Sequence, residues 1–149
     1  MIDLQSSYIQ KAHRLSLYDV ADTVTTVFAG QLFQLNDDSE WEYADGTKKA
    51  YPTLNNRFPG QGIGAQGERL EGRDDVSRAG KLAVLKGNFE IATDQFDDEE
   101  TYTAGAPLYP AADGKITLFK EGSGHKAQFI AGYVTVVPSE DHPMIRYEA

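Results

Sequence analysis

Cysteine is absent from this 149-residue chain, which excludes disulfides, thiol catalysis and cysteine-ligated zinc. Histidine is scarce: His13, His125 and His142 are the only three and lie far apart in the sequence. Long apolar runs are missing as well, and none approaches the roughly 20 residues that a membrane-crossing helix needs. Basic residues number 14 against 23 acidic ones, for a net charge of −9, and only Lys48-Lys49 stand side by side. Nucleic-acid binding relies on clustered Lys and Arg that displace phosphate counterions, so neither nucleic acid nor a membrane is an expected partner. The acidity is uneven: residues 37–100 carry eight basic and fifteen acidic groups, net −7, with −1 on either side. A charge of this kind keeps a protein soluble and apart from its neighbours. The opening Met1-Ile2-Asp3-Leu4-Gln5 lacks the basic and apolar stretches of a secretory signal, and residence in a cytoplasm is the expectation.

What the chain does have is a repeated corner. Ala29-Gly30-Gln31-Leu32, Ala79-Gly80-Lys81-Leu82 and Ala104-Gly105-Ala106-Pro107 each lead into an apolar, strand-like run. Glycine at a corner reaches backbone angles that other residues adopt only with strain, so the chain can reverse and enter a strand. The spacing predicts a mainly β fold, a small barrel or sandwich. Residues 1–22 read as an extended N-terminal arm, or equally as a first strand docked on the body. Residues 23–149 read as one β-rich domain. Within it, residues 23–28 and 32–35 are expected to form a hairpin-like pair. Residues 82–93, 115–119, 129–137 and 144–147 are expected as further strands, with a tight turn at Asp113-Gly114.

Between them lies a polar excursion over residues 36–78, with a short strand at Trp41-Glu42-Tyr43, a turn at Asp45-Gly46 and one helical turn near residues 74–78. Its Trp41, Tyr43, Tyr51, Leu54, Phe58 and Ile63 argue for a folded excursion rather than a disordered one.

Candidate chemistry is thin. Gly62-Ile63-Gly64-Ala65-Gln66-Gly67 spells the dinucleotide fingerprint, but Pro59 and Asn55-Asn56 stand where a buried parallel strand should precede it and no apolar helix follows. Asp97-Asp98-Glu99-Glu100 lacks the alternating spacing of a calcium loop and reads as a solvated turn. Ser123-Gly124-His125 is not a nucleophile elbow and reads as a hairpin tip, while Asp141-His142 is too loose a pair for hydrolysis. The expectation is a protein with no catalytic residues, no cofactor and no metal.

From residue 79 to residue 137 the order of elements resembles that of tailed-bacteriophage head decoration proteins, also called capsid cement proteins. The resemblance rests on Ala79-Gly80-Lys81-Leu82, then Phe89-Glu90-Ile91-Ala92-Thr93-Asp94-Gln95-Phe96-Asp97, then Tyr102-Thr103-Ala104-Gly105-Ala106-Pro107-Leu108, then Ile130-Ala131-Gly132-Tyr133-Val134. It implies a β-rich body, often a homotrimer, made in the bacterial host cytoplasm. Such a body sits on the outer capsid surface of the virion and locks junctions between major capsid proteins. A tail or baseplate protein, and a small cytoplasmic ligand-binding or enzymatic barrel, are the alternatives. On the cement reading, Tyr8, Ile9, Leu15, Leu17 and Tyr18 of the arm are expected to contact the capsid by strand addition. Trp41, Tyr43, Tyr51 and Phe58 are expected at subunit contacts, since aromatics are enriched there, or else in a satellite core under the excursion.

Overall fold

The computed structural model describes residues 2–4, 13–54, 81–119 and 129–149. Among these residues every regular element is a β-strand, as the mainly β reading requires. In chain order they are β1 (Ile2–Leu4), β2 (His13–Asp19), β3 (Leu32–Leu35), β4 (Trp41–Tyr43), β5 (Tyr51–Pro52), β6 (Lys81–Leu85), β7 (Glu90–Thr93), β8 (Pro107–Pro110), β9 (Ile116–Thr117), β10 (Gly132–Val136) and β11 (Ile145–Glu148). A six-stranded sheet runs β1-β7-β11-β10-β8-β9, a three-stranded sheet runs β4-β3-β5, and β2 pairs with β6. Isolated bridges from Thr53 to Val84 and from Val20 to Trp41 tie the two smaller sheets to each other.

Side chains alternate across a strand, and here the alternation sorts residues into two cores. Leu85, Phe89, Ile91, Leu108, Ile116, Val134, Ile145 and Tyr147 fill the first, against the six-stranded sheet. Val24, Val27, Trp41, Leu82 and Val84 fill the second. Strand β3 stands between them: Leu32 packs in the first core and its neighbour Phe33 in the second, each essentially inaccessible. Strand β6 repeats the arrangement, with Val84 on one side and Leu85 on the other.

Buried polar groups on β3 are all spoken for, as burial demands. The Gln34 amide donates to Glu42 Oε1 at 2.9 Å and to Thr47 Oγ1 at 3.3 Å, and its carbonyl accepts from the Asp45 amide at 3.2 Å. Just before the strand, Gln31 accepts from the Phe28 amide at 2.8 Å and donates to the Asp113 carbonyl at 3.1 Å.

The expected turn at Asp113-Gly114 joins β8 to β9, with the Ala111 amide donating to the Lys115 carbonyl at 2.7 Å. This turn also docks on β3. The Leu32 amide donates to the Gly114 carbonyl at 2.7 Å, and the Leu32 carbonyl accepts from the Ala44 amide at 3.0 Å. A Cβ on Gly114 would stand 2.6 Å from the Leu32 carbonyl oxygen, closer than real Cβ atoms approach. Gly105, at the Ala-Gly corner before β8, shares the left-handed backbone, φ 82° against 76°, but faces open space.

Three expectations need correction. Residues 23–28 form no strand with β3; β3 pairs instead with β4 and β5. The reason is tertiary: the Val24 amide turns back to the Ala21 carbonyl, and the Tyr43 hydroxyl takes the Thr26 carbonyl at 2.5 Å, which leaves Val27 pointing into the second core. The single strand expected over residues 82–93 is broken at Gly87, whose φ is 100°, so that β6 and β7 enter different sheets. Residues 115–119 contribute only the two-residue β9. Of the expected N-terminal arm, the described stretches lie in strand pairs, β1 with β7 and β2 with β6. The glycine-rich motif at residues 62–67, the helical turn near residues 74–78 and the Ser123-Gly124-His125 tip lie outside the described residues.

Gly105→Ala should cost about 1–2 kcal/mol, the usual penalty for a side chain in left-handed backbone. Gly114→Ala should cost that plus roughly 1–3 kcal/mol for overpacking against Leu32. Urea unfolding of both variants checks this, and equal losses would mean that the turn does not bear on β3.

Candidate interaction surface

The last strands carry the molecule's outward apolar face. In β8, Leu108 and Pro110 point into the core and Pro107 and Tyr109 point away from it. Residues directly opposite in an antiparallel pair share a face, and Tyr133 of β10 lies opposite Pro107. Beyond Tyr109 the ring of Phe119 packs at 5.7 Å. Tyr133, Pro107, Tyr109 and Phe119 therefore form one stripe across β10, β8 and the segment just after β9. Phe119 is 51% exposed and Tyr133 46%. Among the described residues, six of the seven large exposed apolar side chains fall between positions 119 and 137, with Phe129, Ile130, Val136 and Val137 completing the set and Phe28 standing apart.

At the far end of β10 two clefts flank Pro143. The smaller, about 350 Å³, is lined by Ala92, Val136, His142, Met144 and Arg146. Arg146 lies 3.9 Å from Glu90, whose carboxylate also accepts from the Thr135 hydroxyl at 3.2 Å. The larger, about 600 Å³, lies between residues 96–102 and residues 137–143. Its first bank is the acidic turn, closed by the Asp97 side chain, whose Oδ1 accepts from the Glu99 amide at 3.1 Å. Its second bank is a turn in which the Ser139 amide donates to the His142 carbonyl at 2.8 Å.

Two tyrosines differ instructively. The Tyr102 hydroxyl at the cleft lies 2.8 Å from the Asp97 carbonyl and 3.3 Å from that of Ile116. Burial first, then the negative charges of Asp97, Glu100 and Asp98, raise its pKa well above the ordinary 10.0. Tyr147 is wholly buried in the first core, its hydroxyl has no partner among the described residues, and burial alone raises its pKa.

The residues expected at interfaces are differently placed. Trp41 is fully buried in the second core, with the Lys86 ammonium 5.7 Å from its ring centroid. Tyr43 and Tyr51 pack against that core, Tyr43 at 5.3 Å from Phe33 and Tyr51 edge-on to Trp41 at 6.0 Å. Trp41 thus takes the satellite-core alternative and has no surface to give to a subunit contact, while Tyr43 and Tyr51 pack against the same core and stay partly exposed. Leu15, Leu17 and Tyr18 lie in β2. Tyr8, Ile9 and Phe58 are outside the described residues. The outer stripe was not singled out in the sequence; its signal is the two-residue alternation of Pro107-Leu108-Tyr109 and Gly132-Tyr133-Val134.

No family model, no curated protein and no solved structure matches the chain.

Tyr147→Phe removes a buried hydroxyl with no partner and should leave stability at neutral pH unchanged or raised, whereas Tyr102→Phe forfeits a hydrogen bond and should lose about 1 kcal/mol. A phenol whose folded pKa is raised gives stability that is full below pH 10 and lost as pH rises beyond it. Thermal melts from pH 8 to 11 should therefore fall less steeply above pH 10 in each variant than in the parent protein. Identical behaviour of the two variants at neutral pH would refute the hydrogen-bond assignment.

Proposed function

We propose that this chain is a structural protein of a tailed-bacteriophage virion, which binds the outside of the capsid and stabilises contacts between major capsid subunits. The order of corners and strands from residue 79 to residue 137 supports the reading through its resemblance to head decoration proteins. The observation that carries it is the outer stripe of Tyr133, Pro107, Tyr109 and Phe119. Aromatic side chains concentrated on one exposed face are the surface a protein partner covers, and a cement protein needs such a face toward the shell or toward its own copies. In this role the chain is no enzyme and works as an oligomer, with a trimer favoured. A tail or baseplate role shares the same scaffold and differs in copy number.

Mass spectrometry of virions from the phage or lysogen that encodes the chain, counting its copies against the major capsid protein, tests the reading. A copy number comparable with the shell subunit is expected; a handful would move the protein to the tail, and absence would end the virion assignment. Where the protein is bound, Phe119→Ser combined with Tyr133→Ser should lower capsid occupancy roughly tenfold, as loss of interface aromatics does. The urea midpoint should stay that of the parent protein. Undiminished occupancy would place the contact on another face.

A further inference from the structure

The larger cleft has a chemistry of its own. Its apolar lining is Phe96, Val137, Pro138 and Pro143, and carboxylates stand on both banks, Asp98 and Glu100 on one and Glu140 on the other. Among the described residues that line it there is no lysine or arginine. The negative field there is felt by Tyr102, whose hydroxyl is held neutral partly by three nearby carboxylates. A bare metal ion does not suit the place, because among the described residues no three acidic or histidine side chains come together closely enough to hold one. Carboxylates spread along an apolar trough instead fit cations on long stems, which lay methylenes on apolar surface and carry the charge to the rim. An open trough of about 600 Å³ holds several side chains of an extended segment rather than an enclosed small molecule.

We propose that this acid-rimmed cleft between residues 96–102 and residues 137–143 binds an extended, arginine- or lysine-bearing segment of a partner protein. Apolar residues of the segment lie on Val137 and Pro138 while its cations meet Asp98 and Glu140 across the trough. The inference concerns the segment the cleft takes and stands apart from the capsid reading, which rests on the aromatic stripe.

The test titrates the ¹⁵N-labelled full chain with an acetylated, amidated heptapeptide of alternating arginine and valine, followed by amide chemical shifts. Shifts are expected at Phe96, Thr101, Val137 and Ser139, weakening as salt rises, since rim charges are screened. Asp98→Asn combined with Glu140→Gln, both at exposed positions, should weaken binding about fivefold, the usual scale for two surface ion pairs, while the remaining amide shifts stay at their parent values. Three results would each overturn the proposal: no shifts at millimolar peptide, equal shifts with a glutamate-for-arginine peptide, or shifts confined to the Tyr109 and Tyr133 face. The titration reads the cleft and the virion copy number reads the capsid assignment, so failure of one leaves the other standing.

Discussion

The contact on which the architecture turns is the seating of the Gly114 turn against Leu32. Strand β3 is only four residues long, yet it forms the wall between two cores, and a short strand buried on both faces must have every backbone group satisfied. Leu32 meets that demand by giving its amide to Gly114 and its carbonyl to Ala44. Those two bonds come from segments far apart in the sequence, one from the β8–β9 hairpin and one from the segment after β4. The six-stranded sheet and the three-stranded sheet are thereby fastened at one residue, and glycine is the residue that lets the two backbones come so close.

That fastening decides what is left for the surface. Phe33, Trp41, Tyr43 and Tyr51 are consumed by the second core, with Lys86 and Lys49 lying over its aromatic rings. Aromatic content alone therefore says little about where a partner lands. The outward side chains of β8 and β10 remain, because these strands bury only one face, and an antiparallel sheet with one covered face keeps its alternate residues in solvent.

The sequence made some of this legible and not the rest, for physical reasons. Gly30 and Gly105 announced corners because their left-handed backbone is nearly a glycine property, and both corners are there. Asp113-Gly114 announced a hairpin, and the short Trp41-Glu42-Tyr43 strand stood out against its polar surroundings. Local patterns of this kind are set by local backbone chemistry. The failures are non-local. Residues 23–28 have strand-like composition, but the Tyr43 hydroxyl, 17 residues away from Thr26, engages their backbone before any ladder does. Pairing of β7 between β1 and β11 joins segments that no spacing rule connects. The break at Gly87 looked like an ordinary glycine within a strand. For Trp41 the residue type left a subunit contact and a satellite core both open, and the alternation of β4, which turns it into the second core, decides between them.

Trp41 has one more consequence. It is the chain's sole tryptophan and is sealed in the second core, while Tyr102 and Tyr147 are packed in the first. Indole emission therefore belongs to one side of the β3 wall, and the chirally constrained absorption of those two phenols belongs to the other. The molecule carries separate optical labels on its two halves, placed there by its own residues, and the wall between them is a single strand.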